Sequence, residues 1–92
     1  MEKFTLKLSP AATRDLDQLD DKEAAKVLDE LPILRDNPFP RGKLIKKIKG
    51  KKTTFYRLRV DKYRVFYSIE GAEVVILKVI AKKDADKFIK QL

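Results

Sequence analysis

The chain contains no cysteine, which excludes a disulfide framework and any thiolate metal site such as a structural zinc. It contains no histidine either, so the commonest general base near neutral pH and the commonest nitrogen ligand for metals are both missing. Any chemistry must use other groups, and no metal or cofactor is expected. No run approaches the roughly 20 apolar residues that span a bilayer. The start, Met1-Glu2-Lys3-Phe4, lacks an apolar signal core. The expectation is a cytoplasmic protein without membrane contact. Acid is scarce in one block: residues 41–67 hold 11 Lys/Arg against one Asp, net +10, whereas residues 1–40 net −3 and residues 68–92 net +1.

The formal charge of +8 is therefore concentrated in the middle of the chain. Such a field attracts polyanions by counterion release and speeds their encounter, which points to nucleic acid, a ribosome or an acidic protein. Ninety-two residues fit a single domain, 1–92, with one modest core.

Phe4, Leu6 and Leu8 alternate with Thr5 and Lys7, the period of a half-buried strand. Ser9-Pro10 reads as a helix start, with Ser9 capping free amides and Pro10 at the first helical position. That helix is expected to reach about Leu19. Asp20 and Glu23 then open a second helix in the manner of a capping box. Ala24, Val27, Leu28, Leu31 and Leu34 share one of its sides, and Pro32 should kink or tighten the last turn. The run Asn37 to Gly42 is turn chemistry at the change from acidic to basic sequence. The basic stretch Arg41 to Lys52 is either a solvated loop or an edge strand, and Leu44, Ile45 and Ile48 favour one anchored to the core. Two alternating strands follow, Phe55–Val60 and Tyr63–Ile69, then an apolar strand from Val74 to Ile80 and a short helix from Asp84. The expected fold class is α+β: an N-terminal strand and a two-helix hairpin packed on one face of a mainly antiparallel four-stranded sheet, with a short C-terminal helix.

The hairpin register can be written down. A two-residue loop, Asp61-Lys62, pairs Val60 with Tyr63, Arg59 with Arg64, Leu58 with Val65 and Arg57 with Phe66. Like charges directly opposite on a sheet destabilise it, so Arg57, Arg59 and Arg64 on one face exceed what solubility needs. A three-residue loop, Glu70-Gly71-Ala72, would bring Lys78 and Lys82 to the same side, and a loop one residue shorter or longer would reverse that. Arginine suits phosphate because its planar fork can hold two oxygens at once and stays charged in any surroundings. Preorganised cations could supply much of the rate enhancement for a phosphodiester cleaved by its own 2′-hydroxyl. Phe55, Phe66 and Phe88 are placed to stack an unpaired base, although a phenylalanine at position 88 is more often core. Tyr56, Tyr63 and Tyr67 fall on the core face.

The sequence resembles the RelE/ParE toxin superfamily through Lys49-Gly50, Tyr56-Arg57-Leu58-Arg59-Val60, Tyr63-Arg64-Val65-Phe66-Tyr67 and the strand Val74 to Ala81. The resemblance implies a toxin of a toxin–antitoxin pair that cuts messenger RNA on the ribosome without metal. It also implies inhibition by an acidic, helical, RelB-like antitoxin. By position it implies catalytic roles for Arg57, Arg59, Arg64 and Lys82, while the charge run itself makes Lys46, Lys47, Lys49, Lys51 and Lys52 candidates for holding RNA, with Phe88 able to stack a base. Two departures stand out: lysine at 82 replaces an arginine, and Phe88 replaces a functional tyrosine and cannot exchange a proton. ParE-like inhibition of DNA gyrase and a binding-only RNA module remain open as alternatives.

Overall fold

The computed structural model describes residues 3–92. Strand β1 (Thr5–Leu8) leads into α1 (Pro10–Asp17), α2 (Asp21–Glu30) and the single turn α3 (Ile33–Asp36). Four strands follow, β2 (Ile45–Lys49), β3 (Thr54–Val60), β4 (Tyr63–Glu70) and β5 (Glu73–Ala81), and α4 (Lys82–Lys90) ends the chain. Among the described residues no helix is long and apolar enough to cross a membrane.

The helix starts follow the local chemistry. The Ser9 hydroxyl accepts from the Ala12 N–H at 3.1 Å and donates to the Leu77 carbonyl at 3.2 Å, capping α1 while tying it to β5. An Asp20 carboxylate oxygen accepts from the Glu23 N–H at 2.9 Å at the head of α2. Pro32 breaks the second helix instead of only kinking it: α2 stops at Glu30 and α3 begins beyond the proline. Leu28, expected on the buried side, is 45% exposed, while Val27, Leu31 and Leu34 are buried.

The sheet has five strands, not four, in the order β1-β5-β4-β3-β2. The added strand is the basic stretch, which pairs antiparallel with β3 as an edge. Its lysines suit that position, because charge on an edge strand discourages further pairing. β1 lies parallel to β5 on the opposite edge. The β3–β4 register is the one written from the sequence, Val60 with Tyr63 through Arg57 with Phe66.

The β4–β5 connection differs from expectation. Glu70 pairs with Glu73, so the loop is the two residues Gly71-Ala72, with Gly71 at a φ of +61°. A bulge between Phe66 and Tyr67 then adds one residue on β5, and beyond it Arg64 pairs with Ile80. The shorter loop and the bulge cancel in parity, which returns the end of β5 to the arginine side. Lys78 nevertheless does not join the arginines, because its ammonium lies 3.0 Å from a carboxylate oxygen of Asp15 on α1. The other oxygen of Asp15 accepts from the Val79 N–H at 2.9 Å, filling the edge that β1 leaves uncovered beyond Ile76.

The core lies between the sheet and α1 to α3, built from Ala12, Leu16, Val27, Leu31, Leu34, Leu58, Val65, Tyr67, Val74 and Ile76. Tyr67 is fully buried, donates to the Pro38 carbonyl at 2.6 Å and stacks on Tyr56 with ring centroids 5.5 Å apart. Burial pushes its phenol far above the ordinary tyrosine range. The helix α4 crosses to the other face, where Phe88 packs on the buried Phe66 at 4.8 Å.

The turn from β2 into β3 is tight. Gly50 donates to the Thr53 carbonyl at 2.9 Å, and a Cβ at Gly50 would lie 2.7 Å from that oxygen and 2.7 Å from Phe55 Cε2. Gly50→Ala is therefore expected to destabilise the protein by about 1–3 kcal/mol, read as a lower urea midpoint at unchanged slope.

Candidate functional site

Alternation along β3 puts Phe55, Arg57 and Arg59 on the face opposite the main core, and β4 adds Arg64 and Phe66. On β2, Lys46 stands opposite Arg57. Two like-charge pairs therefore face each other directly across neighbouring strands, Lys46 with Arg57 and Arg59 with Arg64. α4 fences this surface, and its first residue, Lys82, is pinned there by a 2.7 Å bond from its N–H to the Lys62 carbonyl. The result is a cleft of about 210 Å³ lined by Lys43, Lys46, Arg57, Arg59, Arg64 and Lys82, all cationic. A smaller recess of about 150 Å³ continues from Arg57, Arg64 and Lys82 to Ala85, Asp86 and Ile89 of α4.

The arginines differ in how they are held. Arg64 is only 5% exposed. Its Nη1 donates to the Asp61 carbonyl at 2.9 Å and the Tyr63 carbonyl at 2.8 Å, so the hairpin's own turn fixes the guanidinium. Arg57 is half-buried and its Nη2 donates to the Lys43 carbonyl at 3.0 Å. The Nε of Arg57 is buried with no acceptor among the described residues. Arg59 is exposed. Burial, then the charge of Arg59, hold Arg57 below the usual arginine range, and burial, then Arg57 and Arg59, do the same to Arg64. Both stay protonated near neutrality, because the reference pKa of arginine lies so high.

Carboxylates elsewhere are engaged with other cations: Glu73 with Lys7 at 2.9 Å, Asp61 with Lys26 at 3.0 Å and Asp15 with Lys78. Among the described residues none of the six cleft cations has an ion-pair partner. An acceptor-rich anion is what such a cleft can hold, and a phosphate supplies oxygens for several donors at once.

The geometry sorts the residues singled out from sequence. Arg57, Arg59, Arg64, Lys82 and Lys46 are brought together. Lys47 and Lys49 alternate to the other face, opposite Tyr56 and Thr54. Lys51 and Lys52 sit in the β2–β3 turn beside a separate cavity. Phe88 is half-buried against Phe66 and holds α4 down. Lys43 was not singled out, although it lies in the counted basic run; it precedes β2, and its carbonyl accepts from Arg57 at the edge of the cleft. Asp86, at the rim, had no signal in the sequence pattern.

Residues 6–91 match the family described as ParE toxin of type II toxin–antitoxin system. The chain belongs to the RelE/ParE toxin superfamily. It is the toxin of a type II toxin–antitoxin system. It is 29% identical over 84 residues to a protein named putative toxin RelE1 of Methanocaldococcus jannaschii, covering 89% of this chain and 92% of that one. Its fold is similar to the RelE–RelB complex from Pyrococcus horikoshii, with TM-score 0.72, 27% identity and coverage of 87% and 96%. It also resembles the RelBE2 toxin–antitoxin complex of Mycobacterium tuberculosis, with TM-score 0.71, 25% identity and coverage of 87% and 99%. The matched family carries the ParE name and these relatives the RelE name; the superfamily is common to both.

The opposed cations carry a cost the toxin can shed. Arg59→Gln removes one like-charge pair and is expected to raise stability by roughly 0.2–1 kcal/mol, seen as a higher urea midpoint, while weakening any activity that uses the cleft.

Proposed function

We propose that this toxin is a ribosome-dependent, metal-independent endoribonuclease that cuts messenger RNA and so stops translation in the cytoplasm. The observation that carries this reading is the pair of directly opposed cations, Lys46 with Arg57 and Arg59 with Arg64, gathered without an acid partner in one cleft. Core packing fixes the register but does not require cations at these outward positions, and an RNA phosphate removes the repulsion that they carry there.

The scissile phosphate lies against Arg64 and Arg57, which are fixed before substrate arrives, so no reorganisation is spent during the reaction. A phosphate oxygen supplies the acceptor that Arg57 Nε lacks. Arg59 orients the neighbouring 2′-hydroxyl. Its oxygen bonds to phosphorus, the bond from phosphorus to O5′ breaks, and the products are a 2′,3′-cyclic phosphate and a 5′-hydroxyl. The 2′-hydroxyl proton passes to water, and the Lys82 ammonium donates one to the departing O5′. With neither histidine nor a tyrosine hydroxyl at position 88, electrostatic stabilisation bears most of the work, and a slower nuclease follows.

A second reading, inhibition of DNA gyrase without cleavage, is favoured by the match to the ParE family and by a phenylalanine at position 88. Against it stands the convergent arginine set, for which a gyrase binder has no need. Purified toxin added to ribosomes programmed with a defined messenger, with 5′ ends mapped by primer extension, separates the two. Cutting only on ribosomes is expected, reduced about 100-fold in Arg64→Ala and in Arg59→Ala. No cutting together with loss of gyrase supercoiling would establish the second reading, and neither effect would leave an RNA-binding module.

The inhibiting partner in this reading is a RelB-like antitoxin, acidic and helical; similar toxins from Pyrococcus horikoshii and Mycobacterium tuberculosis are found in RelE–RelB and RelBE2 toxin–antitoxin complexes, which supports the choice. An apolar groove of about 220 Å³ lined by Leu6, Leu8, Leu28, Leu31, Pro32 and Arg35 offers it a seat. Leu8 and Leu28 are 42% and 45% exposed there. Because Leu28 is so exposed, Leu28→Asp should spare the fold and ribosomal cleavage while weakening antitoxin binding at least ten-fold, measured by calorimetry.

A further inference from the structure

Three aromatic rings stand on the arginine face, and two of them are packed on each other. Phe66 is fully buried, and Phe88 lies over it at 4.8 Å with a tilt of 51°. Phe55 is different. It is half-buried and lines a cavity of about 260 Å³ with Lys51, Lys52, Thr53 and Leu92. Gly50 lets the ring lie directly against the turn, since any Cβ there would come 2.7 Å from Phe55 Cε2. The ring is thereby seated, with a cavity beside it.

The place of this cavity gives it a chemistry. Phe55 is two positions before Arg57 and four before Arg59 on one strand, so all three side chains share a face. The rise of about 3.4 Å per residue puts Phe55 about 7 Å from Arg57 along β3. That is the scale on which a base lies from the phosphate of its neighbour. Two lysines and no acidic side chain line the cavity, and the terminal carboxyl group at Leu92 accepts from the Lys51 N–H at 3.4 Å at its edge; the two lysines and the ring suit a ligand that is flat and apolar in its ring yet carried on a negative backbone.

We propose that the Phe55 cavity seats one unpaired nucleobase of the RNA whose phosphates lie in the arginine cleft. The base stacks on the Phe55 ring while Lys51 and Lys52 attract the adjoining phosphate, which gives register along the strand without reading base edges. This rests on the RNA reading above and adds to it a subsite at the β2–β3 end of the cleft.

The chain has no tryptophan, so Phe55→Trp places a single reporter in the cavity. Emission would be followed at low ionic strength while adding a 2′-O-methyl single-stranded RNA oligonucleotide, which cannot cleave, or an abasic oligomer of equal length. Quenching by the base-bearing oligonucleotide and not by the abasic one is expected. In parallel, anisotropy should show Phe55→Leu, which keeps an apolar side chain but no ring, binding the base-bearing strand about ten-fold more weakly. Its affinity for the abasic oligomer should be unchanged. If Phe55→Leu binds both as the wild type does and the tryptophan is not quenched, while Arg64→Ala loses both, the base sits elsewhere and the RNA reading stands. If the wild type binds neither oligomer, this subsite falls, while the ribosome assay alone decides the RNA reading.

Discussion

Across the two-residue turn Asp61-Lys62, Arg59 and Arg64 stand directly opposite each other, and the register that puts them there governs what every other strand presents. Side chains alternate with period two, so a slip of one residue in β3 would carry Arg57 and Arg59 into the core and turn Leu58 to solvent, and the same slip in β4 would do so to Arg64 and to Val65 and Tyr67. Those three apolar residues are fully buried, and each contributes roughly 1.5–3 kcal/mol by staying so. Repulsion between opposed cations is worth only about 0.2–1 kcal/mol per pair. The core therefore holds the charges together against their own field. Asp61 completes the device by adopting a φ of +51°, a left-handed conformation that aspartate tolerates and that lets two residues close the hairpin.

Once the register is set, the turn also shapes the guanidinium. Arg64 reaches back to the Asp61 and Tyr63 carbonyls, which hold one end of it while the rest borders the cleft. Arg57 is held in the same way by the Lys43 carbonyl. Backbone carbonyls can orient a cation without neutralising it, whereas a carboxylate would do both. This explains how one buried and one half-buried arginine keep their field available: the site is ordered by dipoles, and its countercharge is left for a ligand. Stability is given up to hold the ligand-free site in a state that an anion relieves.

How much of this was legible depends on how many ways the chain could be paired. The β3–β4 hairpin was readable because a two-residue turn between two strictly alternating strands leaves one register. The β4–β5 hairpin was not: Glu70 and Ala72 could each have belonged to strand or turn, and a bulge beside Leu77 leaves no mark in an apolar run. The expected side for Lys82 proved right only because the shorter loop and the bulge offset each other. β2 was ambiguous for a different reason. Lys46, Lys47 and Lys49 put the same chemistry on both faces, so only pairing with β3 divides Lys46 from the others. Lys43 escaped notice because it precedes β2. The sequence marks α4 as amphipathic through Ala85 and Phe88, but not which sheet face it would cover.

The position of α4 bears on the phenylalanine at position 88, where the family resemblance leads one to expect a tyrosine. Lys82 starts this helix and is tied to the hairpin turn through the Lys62 carbonyl, so the cleft keeps its sixth cation only while α4 is docked. Docking rests on Ala85, 5% exposed, and on Phe88 against Phe66. A phenylalanine does this at least as well as a tyrosine, whose hydroxyl would need a partner or water in that half-buried place. Phenylalanine at position 88 thus offers no proton to exchange and keeps the cationic geometry in place. Cations that remain in place without an acid–base partner still bind phosphate and still stabilise charge as it develops on oxygen. The same cations would suit an acidic protein segment as well as a phosphate: laid over the cleft, it would cancel the field and occupy the donors that any other anion needs.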